Sequence, residues 1–173
     1  QTGLVGYWPF CGNANDESGN GNDGVVNGAT LTEDRFGNAN AAYGFDGVDD
    51  WVETSTSFLQ SSNPHAISMW WQTIDSTKTN QTLFNTSPHT LENCAFHYSS
   101  LNPNPAYDLF YGLGSGGSGA SSWNVVHPDD GLIENTPSTQ GQWHHLVWSK
   151  DDQLNWTFYA DGQLVETFHA DIN

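Results

Sequence analysis

Oxygen donors crowd into one short stretch near the start of the chain. Asn15-Asp16-Glu17-Ser18-Gly19-Asn20-Gly21-Asn22-Asp23 brings carboxylates, side-chain amides and a hydroxyl together within a single loop's length. Gly19 and Gly21 permit a tight wrap that turns backbone carbonyls inward. A hard cation such as calcium takes about six to eight oxygens of these kinds. The spacing is not that of an EF-hand, which needs alternating acids and a closing Glu. The same residues also suit a turn held by its own side-chain hydrogen bonds. Further along, Asp46, Asp49 and Asp50 bracket Gly47-Val48. Asp49 and Asp50 are expected to shape that turn, and Asp46 to lie near the first loop.

Tryptophan is the second chemical resource, with eight in 173 residues. Sugar rings stack their C–H groups on exposed aromatic faces, so surplus tryptophans suggest a glycan platform. Trp51, Trp71, Trp123, Trp148 and Trp156 exceed what packing requires. Among them Trp123, Trp71 and Trp148 are the ligand-binding candidates. Trp123 stands first because it follows the Gly/Ser-rich stretch 113–122, which reads as a loop at one end of the domain.

Cys11 and Cys94 fit no zinc or redox spacing. They are either a disulfide tying the N-terminal segment to the middle of an exported domain, or two unrelated thiols. The histidines form no metalloprotease pattern. His144 and His145 are adjacent, so on a strand they point to opposite faces, which argues against a shared zinc or general-base role.

Strands are the elements that must position these groups. Short apolar or alternating runs recur between Gly, Asn, Asp and Pro: 4–10, 41–45, 51–54, 66–73, 81–85, 94–98, 107–112, 143–149, 155–160 and 163–168. This spacing, rich in aromatic and β-branched residues, predicts an all-β antiparallel sandwich. No window keeps a helical apolar period. In the run 66–73, Ile67, Met69 and Trp71 share one face and Ser68, Trp70 and Gln72 the other. In 143–149, Trp143, His145 and Val147 oppose His144, Leu146 and Trp148. Asp161-Gly162 between two such runs is a two-residue hairpin signal.

Charge narrows the partners. Three basic residues (Arg35, Lys78, Lys150) face twenty acidic ones, for a formal net charge of -17. Nucleic acids and anionic membranes need clustered Lys and Arg, so neither is an expected partner. No apolar stretch approaches the roughly 20 residues that cross a bilayer, so no membrane insertion is expected. An acidic, Asn-, Ser- and Thr-rich chain beginning Gln1-Thr2-Gly3 suits a processed, secreted or cell-surface protein.

Four segments carry a resemblance: Leu4-Val5-Gly6-Tyr7-Trp8-Pro9-Phe10 running into the Asn13 to Gly24 loop; Phe45-Asp46-Gly47-Val48-Asp49-Asp50-Trp51-Val52; Ile67 to Trp71; and Trp143-His144-His145-Leu146-Val147 with Tyr159-Ala160-Asp161-Gly162. Together they resemble the bacterial laminin G-like jelly-roll domains of the concanavalin A-like lectin/glucanase superfamily, over nearly the whole chain. The resemblance implies one β-sandwich domain over residues 1–173. It also implies that the closing Gly-rich and Ile-Asp-Glu-Val-like strands are absent, as in a fragment of a longer multidomain protein. Such domains hold a structural calcium near the first loop. Carried onto this chain, the ligands are Asp16, Asn20 and Asp23, with Asn22 through its backbone and Asp46 nearby. Trp8, Trp70, Trp143 and Phe158 fall at positions expected to pack the core.

Relatives in that superfamily include glycoside hydrolases and lyases. Hydrolysis needs two facing carboxylates, and no predicted strand interior places two acids on one face. Lyases acting on anionic sugars need a basic cluster that three scattered cations cannot form. The expectation is therefore a non-catalytic module binding a neutral polysaccharide or glycoprotein glycan, or alternatively a spacer or protein-interaction domain.

Overall fold

The computed structural model describes residues 3–54, 64–74, 81–85, 93–99, 108–114, 124–125 and 141–169. Every regular element among them is a strand, and every pairing is antiparallel. No helix among them is long and apolar enough to cross a membrane. The chain's contacts gather into two compact units, Gln1–Phe58 and Leu59–Asn173.

The first unit holds two ribbons. β1 (Gly24–Asn27) pairs with β4 (Trp51–Thr54), and β2 (Thr30–Thr32) pairs with β3 (Ala42–Gly44). Its buried side chains are small: Ala14, Ala29 and Ala42. Residues 4–10, expected as a strand, run without ladder pairing. Their polar groups are taken instead by side chains of the following loop, as described below. A loop rich in short polar side chains competes with a sheet edge for the same backbone partners.

The second unit is where alternation does its sorting. β10 (Trp143–Lys150) lies between β5 (His65–Gln72) and β11 (Asn155–Ala160), and β12 (Gln163–His169) closes the order β12-β11-β10-β5. Inward residues Leu146, Trp148, Trp156 and Phe158 form the core cluster, with Ile67, Met69, Trp71 and Val165 packed against it. A second sheet of order β6-β7-β8-β9 comprises β6 (Gln81–Asn85), β7 (Asn93–Ser99), β8 (Asp108–Gly114) and β9 (Asn124–Val125). It meets the core through Leu83 and Phe84, and the Phe84 ring meets Trp148 edge-on at 5.6 Å. The result is an antiparallel β-sandwich, as expected.

The Asp161-Gly162 turn forms as anticipated. Both residues have positive φ, 50° and 79°, which is the type I′ geometry that matches strand twist. Asp161 tolerates it because its carboxylate is held from β10. Runs 51–54, 81–85 and 155–160 match their strands to the residue. Strands β1 and β2 escape sequence reading because Gly24-Val25-Val26-Asn27 and Thr30-Leu31-Thr32 are too short to show a period.

Candidate functional site: an acid-rich loop and an uncharged sheet face

Asp16 is the hub of the first loop. Its Oδ1 accepts from the backbone N–H of Tyr7 (2.9 Å) and Ser18 (2.8 Å). Its Oδ2 accepts from the Ser18 hydroxyl (2.8 Å) and the Asn22 N–H (3.0 Å). Asp23 Oδ1 in turn accepts the Asp16 N–H at 2.8 Å. Asn20 and Asn22 direct their amide nitrogens at the Val5 carbonyl (3.0 and 2.8 Å), and Asn20 also reaches that of Leu4. The Trp8 indole donates to the Asn22 carbonyl at 2.8 Å. Its ring folds back over Gly6, where any Cβ would collide with it.

Four donors use the lone-pair directions of the Asp16 carboxylate. Desolvation pulls its pKa upward, but the Ser18 hydroxyl and the N–H groups of Tyr7, Ser18 and Asn22 outweigh it and hold the carboxyl well below its ordinary range. The four predicted ligands of the loop are thus neighbours, but Asp16 is engaged as an acceptor for the chain's own donors and does not fit as a calcium ligand.

Asp46 lies in the other acidic turn. Its Oδ1 accepts from Val48 N–H at 2.8 Å and Asp49 N–H at 3.3 Å, while its own N–H donates to Asp50 Oδ2 at 2.9 Å. Among the described residues, Asp46, Asp49 and Asp50 are the group whose oxygens gather within 4.8 Å of one another. Asp49 and Asp50 therefore belong with Asp46. Gly28 faces Asp50, and a Cβ there would run into Asp50 Oδ1. Cys11 is an exposed free thiol, its Sγ 3.7 Å from the Pro9 carbonyl. Of the two alternatives read from the sequence, the Cys11–Cys94 disulfide is thus not formed at Cys11; Cys94 falls within β7, with its side chain outside the described residues.

The tryptophans exchange the roles expected of them. Trp148 is 0% exposed and Trp71 packs half-buried against the same core. Trp148 therefore offers no ring face to a sugar, which corrects that ligand-binding candidate; Trp71 sits part-buried on the core side of β5, and Trp123 lies outside the described residues. Trp156 is likewise core. Conversely Trp70, expected to be buried, is 44% exposed. Trp8 and Trp143 are half-buried, and Phe158 is buried as expected. The cause is strand parity. Trp70 and Trp71 must face opposite ways, and Trp71 shares its side with Ile67 and Met69.

Trp70 is part of an assembled surface. It pairs across strands with His145, and the two rings stack at 4.6 Å with 14° between planes. His145 Nε2 lies 2.8 Å from Ser68 Oγ, and Gln72 donates to the Gly141 carbonyl at 2.7 Å. One row along the strands, Tyr159 (38% exposed) stands between Val147 and Leu164 (59% exposed). The outward residues of β5, β10 and β11 include no Asp, Glu, Lys or Arg.

Behind this face Asp161 latches the hairpin to β10. Its Oδ1 accepts the His145 N–H and its Oδ2 meets His144 Nδ1, both at 2.8 Å, while its N–H donates to the His145 carbonyl. An ionised carboxylate only accepts, so the His144 proton sits on Nδ1. Desolvation raises the Asp161 pKa, but the His144 hydrogen bond and the His145 N–H carry it below the ordinary value. Sequence showed the turn but not this latch, since two neighbouring histidines give no sign of which carboxylate they share.

An antiparallel β-sandwich with an aromatic, uncharged outer face is the architecture of a lectin-like module. The Laminin_G_3 family model, described as concanavalin A-like lectin/glucanases superfamily, matches residues 46–172. The chain belongs to this family. No curated protein and no solved structure gave a match. The matched span contains the Asp46 turn and all four strands of the aromatic face, and begins after the Asp16 loop.

Proposed function

We propose that the chain is a non-catalytic carbohydrate-binding or adhesion module of a secreted or cell-surface protein. The observation that carries this is Trp70, a large aromatic ring kept at the surface on an uncharged face of a lectin-like sandwich. Tyr159 and Leu164 are exposed on the same face, and apolar residues grouped on one face mark an interaction surface where single ones would not. A non-catalytic role is supported by the distribution of acids. Glu53, Asp108 and Glu166 are the acids on the twelve described strands, each on a different one. No described strand therefore supplies by itself the carboxylate pair that glycoside hydrolysis uses.

Affinity electrophoresis through gels containing neutral polysaccharides tests this proposal. Retardation by at least one neutral polysaccharide, with no release of reducing ends, is the expected result. Mobility unchanged across neutral β-glucans, mannans and xylans would favour a spacer or protein-interaction domain.

Calcium enters the proposal only at the Asp46–Asp50 turn, where the three carboxylates converge. A native-state ligand raises the unfolding midpoint by mass action. Millimolar calcium should raise the midpoint of the parent and not that of Asp46→Asn. A parent midpoint that ignores both calcium and EDTA removes the metal from the proposal.

A further inference from the structure

We infer that the outer face of β5, β10, β11 and β12 binds an internal stretch of a linear, neutral glycan lying across the strands. Its two stacking contacts are Trp70 with His145 and Tyr159 with Leu164. This rests on the carbohydrate-binding role proposed above and adds where the ligand lies and of what class it is.

Three observations carry it. The first is charge. A chain with net charge -17 repels uronates and sulfated sugars, and its aromatic face carries no ammonium or guanidinium to offset that on β5, β10 or β11. An uncharged polyol is the ligand that such a face accepts. The second is the alternation of stacking and hydrogen-bonding groups. Trp70 and Tyr159 offer ring surface, while the Ser68 hydroxyl, the Gln72 amide and the His145 imidazole lie among them. Sugar rings need both, an apolar C–H face for the aromatic and hydroxyls for polar partners.

The third observation is shape. Trp70 and Tyr159 lie on β5 and β11, with β10 between. Two strand spacings separate those backbones by about 10 Å, room for successive sugar units along one chain. A pleated sheet face open along its strands suits the middle of a polymer, whereas a reader of chain ends needs a closed pit.

The test is calorimetry or affinity electrophoresis with the parent, Trp70→Ala, Tyr159→Ala and Trp70→Phe, against whichever neutral polysaccharide retards the parent and against its oligomers of increasing length. Affinity should climb from the monosaccharide over the first few units and then level off. Trp70→Ala and Tyr159→Ala should each weaken binding at least tenfold, Trp70→Phe much less, and all three should melt close to the parent. Alanine variants that bind the polymer like the parent place the ligand elsewhere and overturn the inference, leaving carbohydrate binding intact. Equal affinity for monosaccharide and polymer, or a preference for an acidic polymer, overturns it too. A parent that binds no neutral glycan overturns both proposals.

Discussion

Trp148→Ala is expected to cost about 3–5 kcal/mol, the range for removing a large aromatic from a packed interior. Trp148 is wholly buried, touches Phe84 of the facing sheet, and sits on the interior strand β10, paired on both sides. Truncation leaves a void where both sheets meet, and neighbours fixed in two ladders cannot collapse to fill it. Loss of that size is a large share of a domain's whole stability. Chemical denaturation should show the midpoint falling with little change in slope. Trp70→Ala, one strand away and on the opposite face, is expected to leave the midpoint nearly unchanged. Equal losses for the two would contradict the assignment of faces.

The second large effect concerns Asp16. Asp16→Asn keeps the size of the side chain but replaces one acceptor oxygen with a donor, which must then confront N–H or O–H groups that Oδ1 and Oδ2 now receive. Leaving those donors unmet opens the loop. Amide exchange should accelerate at Tyr7, Ser18 and Asn22 together, and to the same degree with millimolar calcium as with EDTA. A substitution harmless in EDTA but damaging in calcium would restore Asp16 as a metal ligand.

The sign of the pH effect follows from the same contacts. The folded-state pKa of Asp16 is depressed, so the carboxylate stabilises the loop above the ordinary carboxylate range. That contribution drains away as pH falls through and below this range. Asp161 behaves alike, being also lowered.

Strand parity made the second unit legible. In 143–149 the alternation of Leu146 and Trp148 against His145 and Val147 fixed which side each residue faces, and the register of eight pairs between β5 and β10 agrees. What parity could not say was which side is the interior. Trp70 and Trp71 are identical side chains at adjacent positions, so the choice depended on their neighbours: Ile67 and Met69 accompany Trp71, Ser68 and Gln72 accompany Trp70. Counting tryptophans without weighing their companions sent Trp148 to the surface and Trp70 to the core.

The first unit was harder for a different reason. Asp, Asn, Ser and Gly within Asn15–Asp23 serve equally as metal ligands or as hydrogen-bond partners of their own backbone, and composition cannot divide the two. Geometry does. Tyr7 N–H and the Val5 carbonyl, nine to seventeen residues from their partners, are reached only once the chain has folded back. The same side chains consume the polar groups that would have made residues 4–10 a strand.

The contrast between an acidic chain and its uncharged aromatic face also has a colloidal consequence. At neutral pH, mutual repulsion keeps copies apart although each displays Trp70, Tyr159 and Leu164. The sequence isoelectric point is about 4.2. As that pH is approached the repulsion fades while the apolar face is unchanged, so face-to-face association gains the upper hand. The acidity of this protein thus acts as a dispersant. It lets a face with exposed Trp70, Tyr159 and Leu164 stay open in water at neutral pH.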